Sequence, residues 1–267
     1  MLDLNESVEW NKQKAYSGKL GRSRELFCHE YMKQKGGMIE EVEKKQLQEV
    51  ESNHATMTCK KQCKFSSCCM EYIEATIQEC DTIVYYLYNH KEALSRFLKN
   101  YPEWRERVSS SGDIYKEFDK IYGAFLAPQA KQLNPSALEE LDQKYFDFHI
   151  QYFDLHIPCP FLHDNECIIY DVRPFNCVCS YSTSPVELCA LINNKIFPPI
   201  NRSLPPENAL NSSFYYGELQ TPRVLFMPLN VYEIIVRGYA HIADVTGLTE
   251  MGKEAERLHL IRDVGTS

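Results

Sequence analysis

Most of the eleven cysteines in this 267-residue chain fall into two groups, and no other feature limits the possible folds as strongly. The first group is Cys59, Cys63, Cys68 and Cys69, and the second is Cys159, Cys167, Cys177, Cys179 and Cys189. A thiolate metal site needs several soft donors within about 2.3 Å of one centre, and short loops between donors lower the entropy lost in gathering them. Both groups meet that need. Neither has the paired Cys-X-X-Cys knuckles of a zinc ribbon, so spacing alone does not name the bound group. Cys68 and Cys69 are adjacent, and neighbouring side chains of extended backbone point to opposite sides. The two therefore serve different centres, or only one of them binds. Together the groups over-supply a single tetrahedral ion, which leaves open two ions, a polynuclear cluster, or one site plus structural cysteines.

An odd number of cysteines favours metal ligation or redox chemistry over a disulfide scaffold. The first residues lack the basic and apolar regions of a secretory signal, and no run approaches the roughly 18 apolar residues that span a membrane. The expectation is a soluble, cytoplasmic protein without membrane contact. With 44% apolar and 25% charged residues the chain should fold, and its length supplies a core without covalent staples. A net charge of −8 argues against nucleic acid as a partner.

The periodicity is helical. A helix is expected from Ser23 through Met32, stopped by Gly36-Gly37, with a second from Met38 to about Ser52. The clearest apolar stripe runs through Ile73, Ile77, Cys80, Val84, Leu87, Leu94 and Leu98, with a break near residue 89 and an end at Pro102. Asp113 and Asn134-Pro135 read as helix starts, and a last helical region follows Asn230. Between Ile157 and Cys189 the prolines 158, 160, 174 and 185 forbid a long regular element, so a bound metal would supply the shape. The expected fold class is mainly α, a single domain with an irregular cysteine-rich metal-binding core. Residues 1–22 form a loosely ordered arm, 23–195 the helical cysteine-cluster domain, and 196–267 a Pro-rich wrapping segment with C-terminal helices.

The clustering up to a vicinal pair is followed by a helix, by Cys159-Pro160-Phe161-Leu162, and by an acidic turn. Cys167-Ile168-Ile169-Tyr170-Asp171-Val172-Arg173-Pro174 and Cys177 then complete a pattern that resembles the YkgJ-type cysteine-cluster family, described as zinc- or iron-chelating. The resemblance covers roughly residues 59–180. It implies metal binding by Cys59, Cys63, Cys68, Cys69, Cys159, Cys167 and Cys177, with zinc, iron or an iron–sulfur cluster as the bound group. The first group is more loosely spaced than the family pattern, the segment between groups is long, and Cys179 and Cys189 are additional. The flagellin lysine-N-methylases have a similar cysteine pattern, which implies a protein lysine methyltransferase as the alternative.

Cys80 and Cys28 lie on helices and read as small core residues, while His156 and His163 flank Cys159 and are candidates to complete a mixed site. Arg173 is placed to donate to a thiolate or a carbonyl, or to pair with an acid. The chain has no Gly-x-Gly-x-x-Gly or phosphate-loop motif, no Gly-x-Ser-x-Gly elbow and no His-Glu-x-x-His helix. Ligands are therefore far more legible than any acid, base or nucleophile, and no reaction is assigned. The expected partner is a metal ion, with a protein partner unidentified.

Overall fold

The computed structural model describes residues 4–54, 67–112, 135–183, 201–202 and 224–246, with positions 114, 116, 117 and 120. It is mainly helical and forms one body. Among the described residues the helices are α1 (Leu4–Tyr16), α2 (Gly18–Ser52), α3 (Ile77–Asn89), α4 (Lys91–Ser110), α5 (Pro135–Phe153), α6 (Phe175–Val178), α7 (Met227–Arg237) and α8 (Tyr239–Thr246). Among the described residues six short strands pair in three antiparallel ladders: β1 (Glu74–Thr76) with β6 (Val224–Phe226), β2 (Leu162–His163) with β3 (Glu166–Cys167), and β4 (Ser180–Tyr181) with β5 (Asn201–Arg202). No helix among the described residues is long and apolar enough to cross a membrane.

Helix α3 is the hub. Every residue from Ile77 to Val84 is buried, as are Leu87 and Tyr88, so the helix is enclosed on all sides rather than along one stripe. Its start is fixed by a capping box, in which the Thr76 hydroxyl accepts from the Glu79 amide and the Glu79 carboxylate accepts from the Thr76 amide. Helices α2, α4 and α7 pack around it, and β1 delivers the chain into it in register Glu74↔Phe226 and Thr76↔Val224.

Helix α2 lies along α3 through a buried stripe of Arg24, Cys28, Tyr31, Lys35, Ile39, Val42, Gln46 and Val50. Three of these are polar, and each has a partner on another element. Arg24 Nε donates to Asp81 on α3 at 2.9 Å. Lys35 pairs with Glu79 on α3 at 2.9 Å. Gln46 donates to the Val178 carbonyl at 3.0 Å. A buried charge without a partner costs several kcal/mol, so these pairings fix both the rotation and the position of α2.

Three local expectations differ from the structure. Where a loose arm was expected over residues 1–22, residues 4–16 and 18–22 are helical: Val8 and Ala15 are buried, and Lys12 and Asn11 donate to the carbonyls of Tyr88 and Val236. The sequence hid this because only a few apolar positions face the core. Gly36 and Gly37 do not stop the helix, since the buried stripe continues on both sides of them. Pro102 lies inside α4, where burial of Phe97, Leu98, Tyr101, Trp104 and Val108 outweighs an interior-proline cost of about 3 kcal/mol. The break near residue 89 is present, and Asn89 is the last residue of α3. Its side chain donates back to the Tyr85 carbonyl, and His90 takes the N-cap position without a side-chain bond.

Candidate metal centre

Of the two cysteine groups, Cys68 and Cys69 meet Cys159, Cys167 and Cys177 at one end of the hub. Cys68 and Cys69 sit on a single 3-10 turn, Ser67–Met70, just before β1. The second group lies on a chain of tight turns. Strands β2 and β3 are joined by Asp164 and Asn165, both at positive φ (49° and 63°), the geometry of a type I′ hairpin that Asp and Asn tolerate. The Ile168 amide then returns to the Phe161 carbonyl at 2.9 Å. Pro174 ends the extended stretch and starts α6, which carries Cys177.

Several contacts pin these turns to the helices. Phe161 stacks on Phe97 of α4 with ring centroids 4.3 Å apart, and neither ring is exposed. Asn100 of α4 donates to the carbonyls of Pro160 and Leu162, each at 3.2 Å. The Glu79 carboxylate that caps α3 also accepts from the Phe175 amide at 2.9 Å, so the start of α3 and the start of α6 share one acid. Lys35 and Gln46 of α2 reach the carbonyls of Val172 and Val178. One bond joins the cysteine segments directly, from the Cys159 amide to the Cys69 carbonyl at 2.7 Å.

Cys68, Cys69, Cys159, Cys167 and Cys177 all line one cavity of about 400 Å³ that opens to solvent. Cys159 is buried, Cys69, Cys167 and Cys177 are half-buried, and Cys68 is exposed. The thiols are close enough to perturb one another. Burial is the main reason the Cys177 thiol is pushed up, and Cys167, Cys159 and Cys68 add to it. Burial likewise raises Cys159, and raises Cys167 to about 11. Opposing this, the amides of Phe161 and Ile169, each two residues on, donate to the sulfurs of Cys159 and Cys167 and favour their thiolates. In the vicinal pair a shared hydrogen bond holds the proton on Cys69 and lowers Cys68. Among the described residues no three His, Cys, Asp or Glu side chains are drawn into a closed metal-ligand group. The sulfurs surround a space rather than a point.

Arg173 is the cation at this wall. It donates to the Tyr170 carbonyl at 2.6 Å and to Glu43 of α2 at 2.5 Å, and its guanidinium lies 3.7 Å from the centre of the Tyr170 ring. Its charge lowers the thiols of both Cys167 and Cys177, against the larger effect of burial. The acid it pairs with comes from α2 rather than from the neighbouring Asp171.

The other candidates lie elsewhere. Cys80 is fully buried on α3, and Cys28 is fully buried on α2 with its sulfur 3.5 Å from an Asp81 oxygen. Cys179 is buried behind the cavity wall, and the imidazoles of His156 and His163 face the Asp154 carbonyl and the Asp164 carboxylate, outside the lining. Cys59, Cys63 and Cys189 lie outside the described residues. Sequence reasoning missed Glu43, Gln46 and Leu47, which form the α2 side of the cavity. The available signal was the placement of Arg24, Lys35 and Gln46 at intervals of eleven residues, about three helical turns.

No protein-family model, curated protein or solved structure matches the chain.

Proposed function

We propose that the protein binds a metal, chelating zinc or iron, or an iron–sulfur cluster, through cysteines of its two separated groups. The observation that carries this is the meeting of Cys68 and Cys69 with Cys159, Cys167 and Cys177 around one cavity. The donor set fits a soft or borderline cation. Burial and the charges of Cys167, Cys159 and Cys68 raise the Cys177 thiol, so the gathered thiols are costly to ionise alone, whereas a divalent ion supplies the missing countercharge and displaces their protons. The amide donors to Cys159 and Cys167, and Arg173 behind Cys167 and Cys177, are the supports that thiolate centres need around them. The holding residues are Cys159, Cys167, Cys177, Cys68 and Cys69, with Cys59 and Cys63 added on the strength of the family resemblance.

Elemental analysis and optical spectra of anaerobically purified protein test this. Colourless protein with stoichiometric zinc selects the zinc form, and brown protein with iron and sulfide selects the cluster. Substoichiometric metal of every kind after anaerobic reconstitution would sink the proposal.

The second reading is an enzyme that works beside the centre, such as a protein lysine methyltransferase. It is favoured by the cavity volume, about 400 Å³, which lies in the range of small-molecule sites and far exceeds one ion. Calorimetric titration with S-adenosylmethionine tests the methyltransferase form, and absence of binding to metal-loaded protein removes it.

A further inference from the structure

We infer that the cavity also binds an uncharged organic molecule, one with an apolar body and a carbonyl or similar acceptor oxygen that Arg173 receives. This goes beyond metal binding and does not rest on it.

A single ion with bonds of about 2.3 Å fills a small part of a cavity of about 400 Å³, a volume in the range of small-molecule sites. Much of the remaining wall is apolar. Ile73, Phe161, Ile169, Val178 and Met227 are each at most 4% exposed, yet all of them line the cavity. Apolar side chains that face an open space gain when an apolar body displaces the water there. On α2 the residues Glu43, Gln46 and Leu47 stand at i, i+3 and i+4, so one face of that helix closes the other side. Leu47 is 45% exposed, which puts it where the cavity opens.

Arg173 supplies the polar contact. It lines the cavity and is buried. A guanidinium has five N–H donors, and among the described residues two of them are taken, by the Tyr170 carbonyl and the Glu43 carboxylate. The rest are open to an acceptor, and the Tyr170 ring 3.7 Å from the guanidinium holds its plane. Charge decides which acceptor fits. Glu43 already neutralises Arg173, and the other charged side chain on the described lining is Glu71, so apart from the thiols the wall carries two negative groups against one positive. A carboxylate or phosphate has to compete with Glu43 and to face Glu71. A carbonyl, amide or ether oxygen accepts from the guanidinium without that penalty.

The test measures fluorescent dyes binding to the reduced, zinc-free, full-length chain. N-phenyl-1-naphthylamine, an uncharged apolar dye, should bind saturably at one per chain, and its sulfonate, 8-anilinonaphthalene-1-sulfonate, about tenfold more weakly or worse. Prodan, an uncharged naphthyl ketone, should displace the first dye. Arg173→Met should cost prodan about tenfold more affinity than it costs N-phenyl-1-naphthylamine, the effect of one lost hydrogen bond to a charged donor. Leu47→Trp should weaken both uncharged dyes about tenfold or more. Leu26→Trp, at a position of α2 that is exposed and away from the lining, should match wild type. No saturable binding, a sulfonate that binds as tightly as its uncharged parent, equal effects of Arg173→Met on both dyes, or Leu47→Trp binding them as wild type does would each overturn the proposal. Leu47→Trp alters an exposed position, so it decides the matter even where Arg173→Met fails to fold. Zinc takes no part in these measurements, so failure here leaves metal binding standing, and a chain that takes up no zinc can still bind the dyes.

Discussion

Cys80 and Cys159 are both buried thiols, yet their surroundings assign them different work. Cys80 is enclosed on α3, where burial and then the Glu79 charge push its thiol up, and it does not line the cavity. Cys159 faces the other cysteines and has an amide donor to its sulfur. Cys80→Ala should therefore keep full metal and cost about 1 kcal/mol of packing, whereas Cys159→Ser should lose metal. Metal content beside urea denaturation separates them, and equal metal loss from both would mean that Cys80 ligates. Asp81 makes a sharper case. Its carboxylate is fully buried and faces Arg24, which is 1% exposed, with the Cys28 sulfur on its other oxygen. Asp81→Asn removes the charge but leaves the guanidinium in the core, so the expected loss is about 3–5 kcal/mol. Arg24→Met with Asp81→Leu removes both charges and should regain most of that stability, as read by urea midpoints.

At the scale of the element, α2 shows why a buried stripe can escape a sequence reading. Its core face has the spacing of a helix from Arg24 to Val50, but every third position on it is polar. A hydrophobic pattern therefore looks broken where the helix is continuous, and Gly36-Gly37 then reads as a stop. The two glycines have no atom within 4 Å of where a Cβ would sit, and neither has a positive φ. They weaken the helix without serving a turn. Gly37→Ala should accordingly stabilise the protein by about 0.5–1 kcal/mol, seen as a higher denaturant midpoint at unchanged slope. A lower midpoint would mean that the helix bends at this point in solution. The stripe of α3 was legible because its apolar spacing needs no partner to be recognised. The acidic turn between Cys159 and Cys167 and the lack of any long element around the prolines were legible for a similar reason, since turn chemistry is local, but the hairpin pairing of β2 with β3 was not read from the sequence. The α2 wall of the cavity was not, because Glu43 and Gln46 acquire their roles only when Arg173 and Val178 are brought to them by the fold. Convergence of Cys68 and Cys69 with Cys159, Cys167 and Cys177 was an inference from chemistry. The α2–α3 ion pairs and the Asn100 and Phe97 contacts of α4 supply its mechanical cause.

For the whole molecule, the burial that shapes the hub also sets how the metal-free protein responds to pH. Cys28 and Cys80 are fully buried and their thiols are raised well above the ordinary range, chiefly by desolvation. Tyr88, at the end of α3, is pushed up to about 12 for the same reason. In the unfolded chain such thiols ionise near pH 8.5 and such phenols near pH 10. Above those values the unfolded chain has lost protons that the folded chain still holds, so stability falls as pH rises. The contribution is therefore complete below about pH 8.5 and declines first through the thiols, then through Tyr88. Urea midpoints of the metal-free protein should drop steadily between about pH 8.5 and 10.5, ahead of any loss of helix signal in native buffer. Because Cys80 owes its shift to the α3 core and not to the cavity, Cys80→Ala should flatten the first part of that decline while leaving metal uptake unchanged. A slope identical to wild type would place the titrating thiols elsewhere, among the cysteines that line the cavity.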